Sequence, residues 1–186
     1  NMMDEGGWLN HVFCDGRCAH NATLEDYANM AEAALTLHEI TNNPQYLAQA
    51  QSWVDILLKQ YWDEKGNGFF MSLAQEDMLL RPKSADDMAT PSGNGTMVGV
   101  LGRLYLLTGK QVYADRAEET ARAFSANLLQ HFFPLATLLS CSDFVSHPVT
   151  IVLTAGTGHD ALLDELRKVS FPHLVVMDAG GGLHSS

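Results

Sequence analysis

Apolar residues recur at helical spacing from Tyr27 through Met30, Ala31, Ala34 and Leu37 to Ile40, and again from Tyr46 through Leu47, Ala50, Trp53, Val54, Leu57 and Leu58 to Tyr61. Stripes of this kind put one face of a helix against a core. The pattern predicts a helix from Thr23 to about Thr41 and a second one after Asn42-Asn43-Pro44, with the proline in the first turn, where its missing N–H costs little. Thr23 with Asp26 three residues on forms a capping-box pair, and Glu25 suits the positive end of the helix dipole. A third stretch, residues 97–107, is apolar almost throughout, with Gly95, Gly99 and Gly102 interspersed. It predicts a helix buried on most sides, in which the glycines permit close backbone approach. Thr90-Pro91 is its expected cap and Gly109 its stop. Val112, Tyr113, Ala117, Ala121, Phe124, Leu128 and Leu129 give a fourth helix a single stripe.

The four helices form two units. Thr23 and Thr90, Met30 and Met97, Leu37 and Leu104, Thr41 and Thr108, Tyr46 and Tyr113, and Ala50 and Ala117 are each 67 positions apart. A fixed period holding two helical patterns predicts stacked helical hairpins, each too small to bury its apolar face alone. Residues 1–22 alternate weakly around Trp8, Val12 and Phe13, with a turn at Cys14-Asp15-Gly16-Arg17, and predict an extended lead-in hairpin. The hairpin repeats occupy 23–132 (23–62 and 90–130), and between them residues 66–83 predict two short strands around a turn. After Pro134 the character changes to a short helix near 135–145, a strand at 149–153, a helix over 160–169 and a strand at 174–177. This is a β-α-β unit with parallel strands, in a small α/β end over 133–178. The Gly-rich tail, 179–186, predicts flexibility. The fold class is mainly α: a partial α/α toroid of two repeated hairpins with a small C-terminal α/β element.

Charge narrows the function. The chain of 186 residues carries a formal net charge of −11, and its 11 Lys and Arg are scattered, so nucleic acid and anionic membrane surfaces are repelled. No apolar run approaches the roughly 20 residues of a membrane span, and the first residues lack the features of a signal peptide. Three cysteines, Cys14, Cys18 and Cys141, are an odd number and fit a reducing, cytoplasmic setting rather than a disulfide framework. His11, Cys14, Cys18 and His20 match no pair of Cys-x-x-Cys knuckles, and Gly156-Thr157-Gly158-His159 lacks the Lys-Ser/Thr of a phosphate loop, so neither metal nor cofactor is expected.

The repeat places candidate chemistry on one rim. The N-terminal ends of the first helices of both hairpins point the same way, which sets Glu25, Asp26 and Tyr27 beside Ser92, Gly93 and Asn94. Carboxylates, a phenol and an amide gathered at helix N-termini suit a polyol or acid–base work. The same residue types also serve as plain caps. Asp86 and Asp87 precede the second rim segment while Arg81 and Lys83 flank Pro82, and paired carboxylates divide into acid and base when their environments separate their pKa values. On this reading Asp26 and Asp87 are the candidate catalytic residues, and Glu25, Tyr27, Arg81, Lys83, Ser92 and Asn94 the ligand-binding ones. Trp62, Phe69 and Phe70 offer stacking surface for a sugar ring or fill the core.

Four motifs in register, Leu24-Glu25-Asp26-Tyr27-Ala28, Phe69-Phe70, Arg81-Pro82-Lys83 and Pro91-Ser92-Gly93-Asn94, resemble the C-terminal half of the thioredoxin-domain proteins of unknown function related to bacterial YyaL and to spermatogenesis-associated protein of animals. The resemblance implies a thioredoxin-like domain, then an (α/α)6 barrel similar to those of N-acylglucosamine 2-epimerases and six-hairpin glycosidases, then a small α/β end. It implies that this chain holds about two of six hairpins and is shortened. Where the family motif reads Asp-Gly-Ala before Pro-Ser-Gly-Asn, this chain has Asp87-Met88-Ala89-Thr90. The histidine pair that epimerases of this fold use has no counterpart, since His38 falls inside a helix and His131 at the end of another.

Two functions follow as expectations. One is a carbohydrate-active module, epimerase-like or glycosidase-like, shortened and inactive alone, acting on a sugar-like small molecule. The other is a non-catalytic scaffold or interaction domain of a thioredoxin-fold-containing protein, whose exposed barrel flank supports self-association.

Overall fold

A computed structural model describes residues 2–75, 78–128, 132–154, 156–169 and 173–178. The expected tail at 179–186, together with Leu129 and His131, lies outside the described residues. Two strands, β1 (Asn10–Cys14) and β2 (Arg17–Asn21), pair antiparallel, with Val12 opposite Ala19 and Cys14 opposite Arg17. They lead into α1 (Leu24–Thr41) and α2 (Pro44–Gln60), then α3 (Gly93–Thr108) and α4 (Gln111–Leu128). A 3-10 turn at Phe133–Leu135 opens α5 (Ala136–Ser146), and β3 (Val149–Leu153), α6 (His159–Lys168) and β4 (Leu174–Asp178) complete the chain. β3 and β4 are parallel, with Val149 opposite Leu174.

The helices form two layers. α1 packs on α2 and α3 on α4, while α3 also packs against α1 on one side and α5 on the other. α1, α3 and α5 are thus the inner helices of a toroid wall, and α2 and α4 its outer ones. Among the helices α3 is the most enclosed: Met97, Val98, Val100, Leu101 and Leu104 are buried, and so are Asn94 and Thr96. Its glycines allow that. A Cβ on Gly95 would lie 2.9 Å from the backbone nitrogen of Leu138, and one on Gly102 would lie 2.6 Å from Val145 Cγ2. Both contacts are with α5. The third helix is therefore glycine-lined where α5 passes, as close approach requires.

The repeat extends to individual hydrogen bonds. Asn42 and Gly109 end α1 and α3 in the left-handed region, donating N–H to His38 O and Tyr105 O respectively. Thr41 Oγ1 donates to Leu37 O at 2.6 Å, and Thr108 Oγ1 to Leu104 O at 2.6 Å. Each turn closes through its threonine, which accepts from the N–H two residues on, Asn43 and Lys110. The hydrophobic pattern thus reflects two copies of one hairpin. The helix starts differ: Thr23 caps α1, but Ser92, not Thr90, caps α3, accepting from Gly95 N. The expected Thr90-Pro91 cap is displaced by two residues because Asp87 receives the Ser92 N–H and fixes that residue as the last extended one.

The two strands expected in 66–83 do not form among the described residues. Trp62 and Phe69 make one isolated bridge, and several backbone groups find partners outside any ladder. Phe70 N donates to Tyr61 O, Met71 N to Pro82 O and Leu24 N to Met71 O. Both backbone groups of Phe69 are taken by the Asn94 side chain. A strand needs those groups for its neighbour.

Placing a methyl group at the α3–α5 crossing tests this packing. Gly95→Ala is expected to lower stability by about 1–3 kcal/mol, overriding the ~1 kcal/mol helix-propensity gain of alanine. A drop in urea midpoint at unchanged slope checks it.

Candidate functional site

The inner helices begin at one end of the wall, and their starts are joined there. A Cβ on Gly93 would lie 2.6 Å from Leu24 Cγ and 3.2 Å from the backbone nitrogen of Glu25, so the first turns of α1 and α3 touch. Asp87 ties α3 to α5: its Oδ1 accepts from Ser92 N and its Oδ2 from Thr137 N, both at 2.8 Å. Glu25, Asp87, Ser92 and Asn94 therefore share one region of the molecule.

Each sequence-predicted residue has a local task. Asp26 Oδ2 accepts from Thr23 N at 2.7 Å and from Thr23 Oγ1 at 2.9 Å, completing the capping box, and lies 2.6 Å from His11 Nδ1. Tyr27 is buried, its Oη accepts from Leu9 N at 3.0 Å, and its ring meets Tyr61 edge-on at 5.8 Å. Burial pushes the Tyr27 phenol above its ordinary value, so it is neutral at physiological pH. Arg81 donates to Ser72 O and Gln60 O and stacks its guanidinium 4.1 Å from the Phe70 ring. Lys83 Nζ donates to Asp63 Oδ2 and to Asn67 O, both at 2.7 Å. That ammonium, first among the causes, holds the Asp63 carboxyl below the usual range. Ser92 caps α3. Asn94 is buried, accepting from Phe69 N and donating to Phe69 O and Ser84 O, which staples the inter-hairpin loop to α3.

Glu25 differs. It is half-buried beside Gly93 and makes no hydrogen bond among the described residues. At Asp87, burial pushes the carboxyl up, and the N–H donors of Thr137 and Ser92 outweigh it, holding the group below the ordinary carboxylate range. A carboxylate stabilised in that way stays ionised and makes a poor general acid. Trp62 and Phe69 are core residues in edge-on contact at 5.0 Å. The aromatic surface near the rim comes instead from Phe132 and Phe133, tilted rings 5.7 Å apart, the second 84% exposed. Asp87 N donates to Pro134 O, which brings this pair to the α5 end of the rim. Its one signal in the sequence is two aromatics before Pro134 outside any helical stripe. Among the described residues no group of three or more His, Cys, Asp and Glu is placed to hold a metal ion, and no helix is long and apolar enough to cross a membrane.

Comparison with known proteins adds a lineage to this geometry. Spermatogenesis-associated protein 20 of Mus musculus is 35% identical over 164 residues, and that of Homo sapiens 34% over the same length. Each match covers 85% of this chain and 21% of the relative. The chain is similar to a segment of spermatogenesis-associated protein 20. It spans about a fifth of the length of these relatives. No protein-family profile matches it. Among solved structures, the GH76 α-mannanase of Bacteroides thetaiotaomicron is similar with a TM-score of 0.52 at 19% identity, covering 66% of this chain and 32% of the mannanase. That neighbour is an (α/α)6 barrel, and this chain has the fold of part of such a barrel wall.

The rim's electrostatics give a pH signature. Because the folded Asp87 carboxyl is depressed, its contribution is present above the unfolded aspartate value and is lost as pH falls through the folded one. Asp87→Asn is expected to cost about 1–3 kcal/mol at neutral pH, since each lost charge-assisted bond is of that order. Denaturant titrations from neutral to acid pH should show the gap between wild type and variant narrowing as pH falls.

Proposed function

We propose that this chain is one wall of a carbohydrate-binding α/α barrel, supplying scaffold and ligand-facing rim but no acid–base pair. The observation that carries this reading is how Asp26 and Asp87 are used: Asp26 Oδ2 serves the Thr23 capping box, and each oxygen of Asp87 accepts a backbone N–H at a helix start. Arg81, Lys83 and Asn94 are likewise committed to loop carbonyls. What remains for a sugar-like ligand is Glu25, an acceptor for hydroxyls, and the exposed Phe132 and Phe133, whose faces suit a pyranose ring. The fold shared with a mannanase supports a carbohydrate as the ligand class by analogy of architecture. Met30, Leu37 and Ile40 of α1 are exposed and support association with a further helical hairpin or another copy. The odd cysteine count supports a cytoplasmic setting.

The test is a titration of the full chain with manno-oligosaccharides, followed by calorimetry and by release of reducing sugar. The expected outcome is saturable binding that weakens about tenfold in Glu25→Gln, with no release of reducing sugar. Hydrolysis that disappears in Asp26→Asn or Asp87→Asn variants of intact fold would overturn the reading.

A further inference from the structure

A second, unrelated groove lies on the face of the inner helices that α2 and α4 leave open. Glu32 of α1, Arg103 of α3, Cys141 and Phe144 of α5, and His173 and Leu174 at the start of β4 surround about 300 Å³. That volume lies at the small end of small-molecule sites. We propose that this groove binds a compact organic cation, a molecule bearing a primary ammonium group on a short aliphatic stem.

The argument rests on which charges are already answered. Arg103 donates from Nε and Nη2 to Glu39 Oε1, at 2.9 and 2.5 Å, and both terminal nitrogens donate to Thr36 Oγ1 at 3.3 Å. The two side chains of this ion pair are only 17% and 14% exposed. A guanidinium with four of its five N–H groups placed offers little to an anion. Glu32 makes no hydrogen bond or ion pair among the described residues and stands exposed at the groove's edge. Asp143 adds a second carboxylate nearby, between His147 Nδ1 at 3.0 Å and His173 Nε2 at 3.5 Å. Glu32 is therefore the charge of this groove that no partner among the described residues answers, and it is negative.

The thiol inside it supports this. Burial pushes Cys141 up to about 11, and the charge of Glu32 adds to that rise more than Arg103 subtracts. Cys141 is consequently a neutral, weakly polar part of the floor rather than a nucleophile. The Phe144 ring meets His173 edge-on at 6.0 Å and, with Leu174 and the bare backbone of Gly99, provides apolar surface for a methylene stem. Apolar surface in the same groove as an unpaired carboxylate suits an ammonium group carried on an aliphatic stem.

Three four-carbon probes separate charge from shape: putrescine, butanediol and succinate, titrated calorimetrically into the full chain. The expected result is saturable putrescine binding, with butanediol and succinate weaker by about tenfold or more. Glu32→Gln should weaken putrescine by a similar factor while leaving the thermal midpoint unchanged, because Glu32 makes no bond among the described residues. Glu25→Gln, at the rim, should leave putrescine binding intact, which separates this groove from the carbohydrate reading. Butanediol binding as well as putrescine, putrescine binding unaltered in Glu32→Gln, or no putrescine binding at millimolar concentration would each overturn the proposal.

Discussion

α3 packs against α1, α4 and α5 at once, and a helix with three neighbours has few directions left for side chains. Most of what is unusual about this chain follows from that crowding. Gly93, Gly95, Gly99 and Gly102 occur where a Cβ would meet Leu24, Leu138, Cys141 and Val145. The helix gives up intrinsic propensity for backbone contact, and neighbouring elements supply the stability that an isolated glycine-rich helix lacks. The same crowding explains the rim. A buried helix start cannot rely on water for its unpaired N–H groups, so Ser92 accepts from Gly95 N and Asp87 holds Ser92 in place through its N–H.

The mainly α architecture was legible in the sequence because apolar spacing and turn chemistry repeat together. Asn42 and Gly109, Thr41 and Thr108 mark equivalent turns, and both show in the residues alone. The β-α-β end was legible from two short apolar runs around a helix, and the strands pair in parallel as that order implies. The segment 66–83 was misread because β-favouring residues there look like strands, while the partner that removes their ladder bonds, Asn94, lies on another element. Side chain to backbone bonds across 25 residues leave no periodic trace. The cap of α3 was misplaced for the same reason, since the carboxylate that fixes Ser92 is bonded also to Thr137, 50 residues from it.

The repeat in the sequence set Glu25 beside Ser92 and Asn94, whose helix starts do touch, but was silent on the partners of these side chains. Asp26, Asp87, Ser92 and Asn94 are the residue types used both to hold substrates and to hold helix ends. Only the partners distinguish the two uses. Here the partners are Thr23, Ser92, Thr137, Gly95, Phe69 and Ser84, all within the chain. Arg103 illustrates the converse: its position is 67 residues from Thr36, its own counterpart in the repeat, and the two are hydrogen-bonded across the seam between hairpins. Duplication supplied the equivalent positions, and divergence at them supplied the bond.

The two matching turns have a kinetic consequence. Their bonds join residues two to four apart, from Leu37 to Asn43 in one hairpin and from Leu104 to Lys110 in the other. Each hairpin can therefore nucleate on its own, with little loop entropy lost before the first contacts form. The Asn94 and Asp87 bonds, which span 25 and 50 residues, form later on the same entropic grounds, because they tie the loop between the hairpins to α3 and to α5. Assembly from such units is modular, so a lesion in one turn slows its own hairpin and leaves the other able to start.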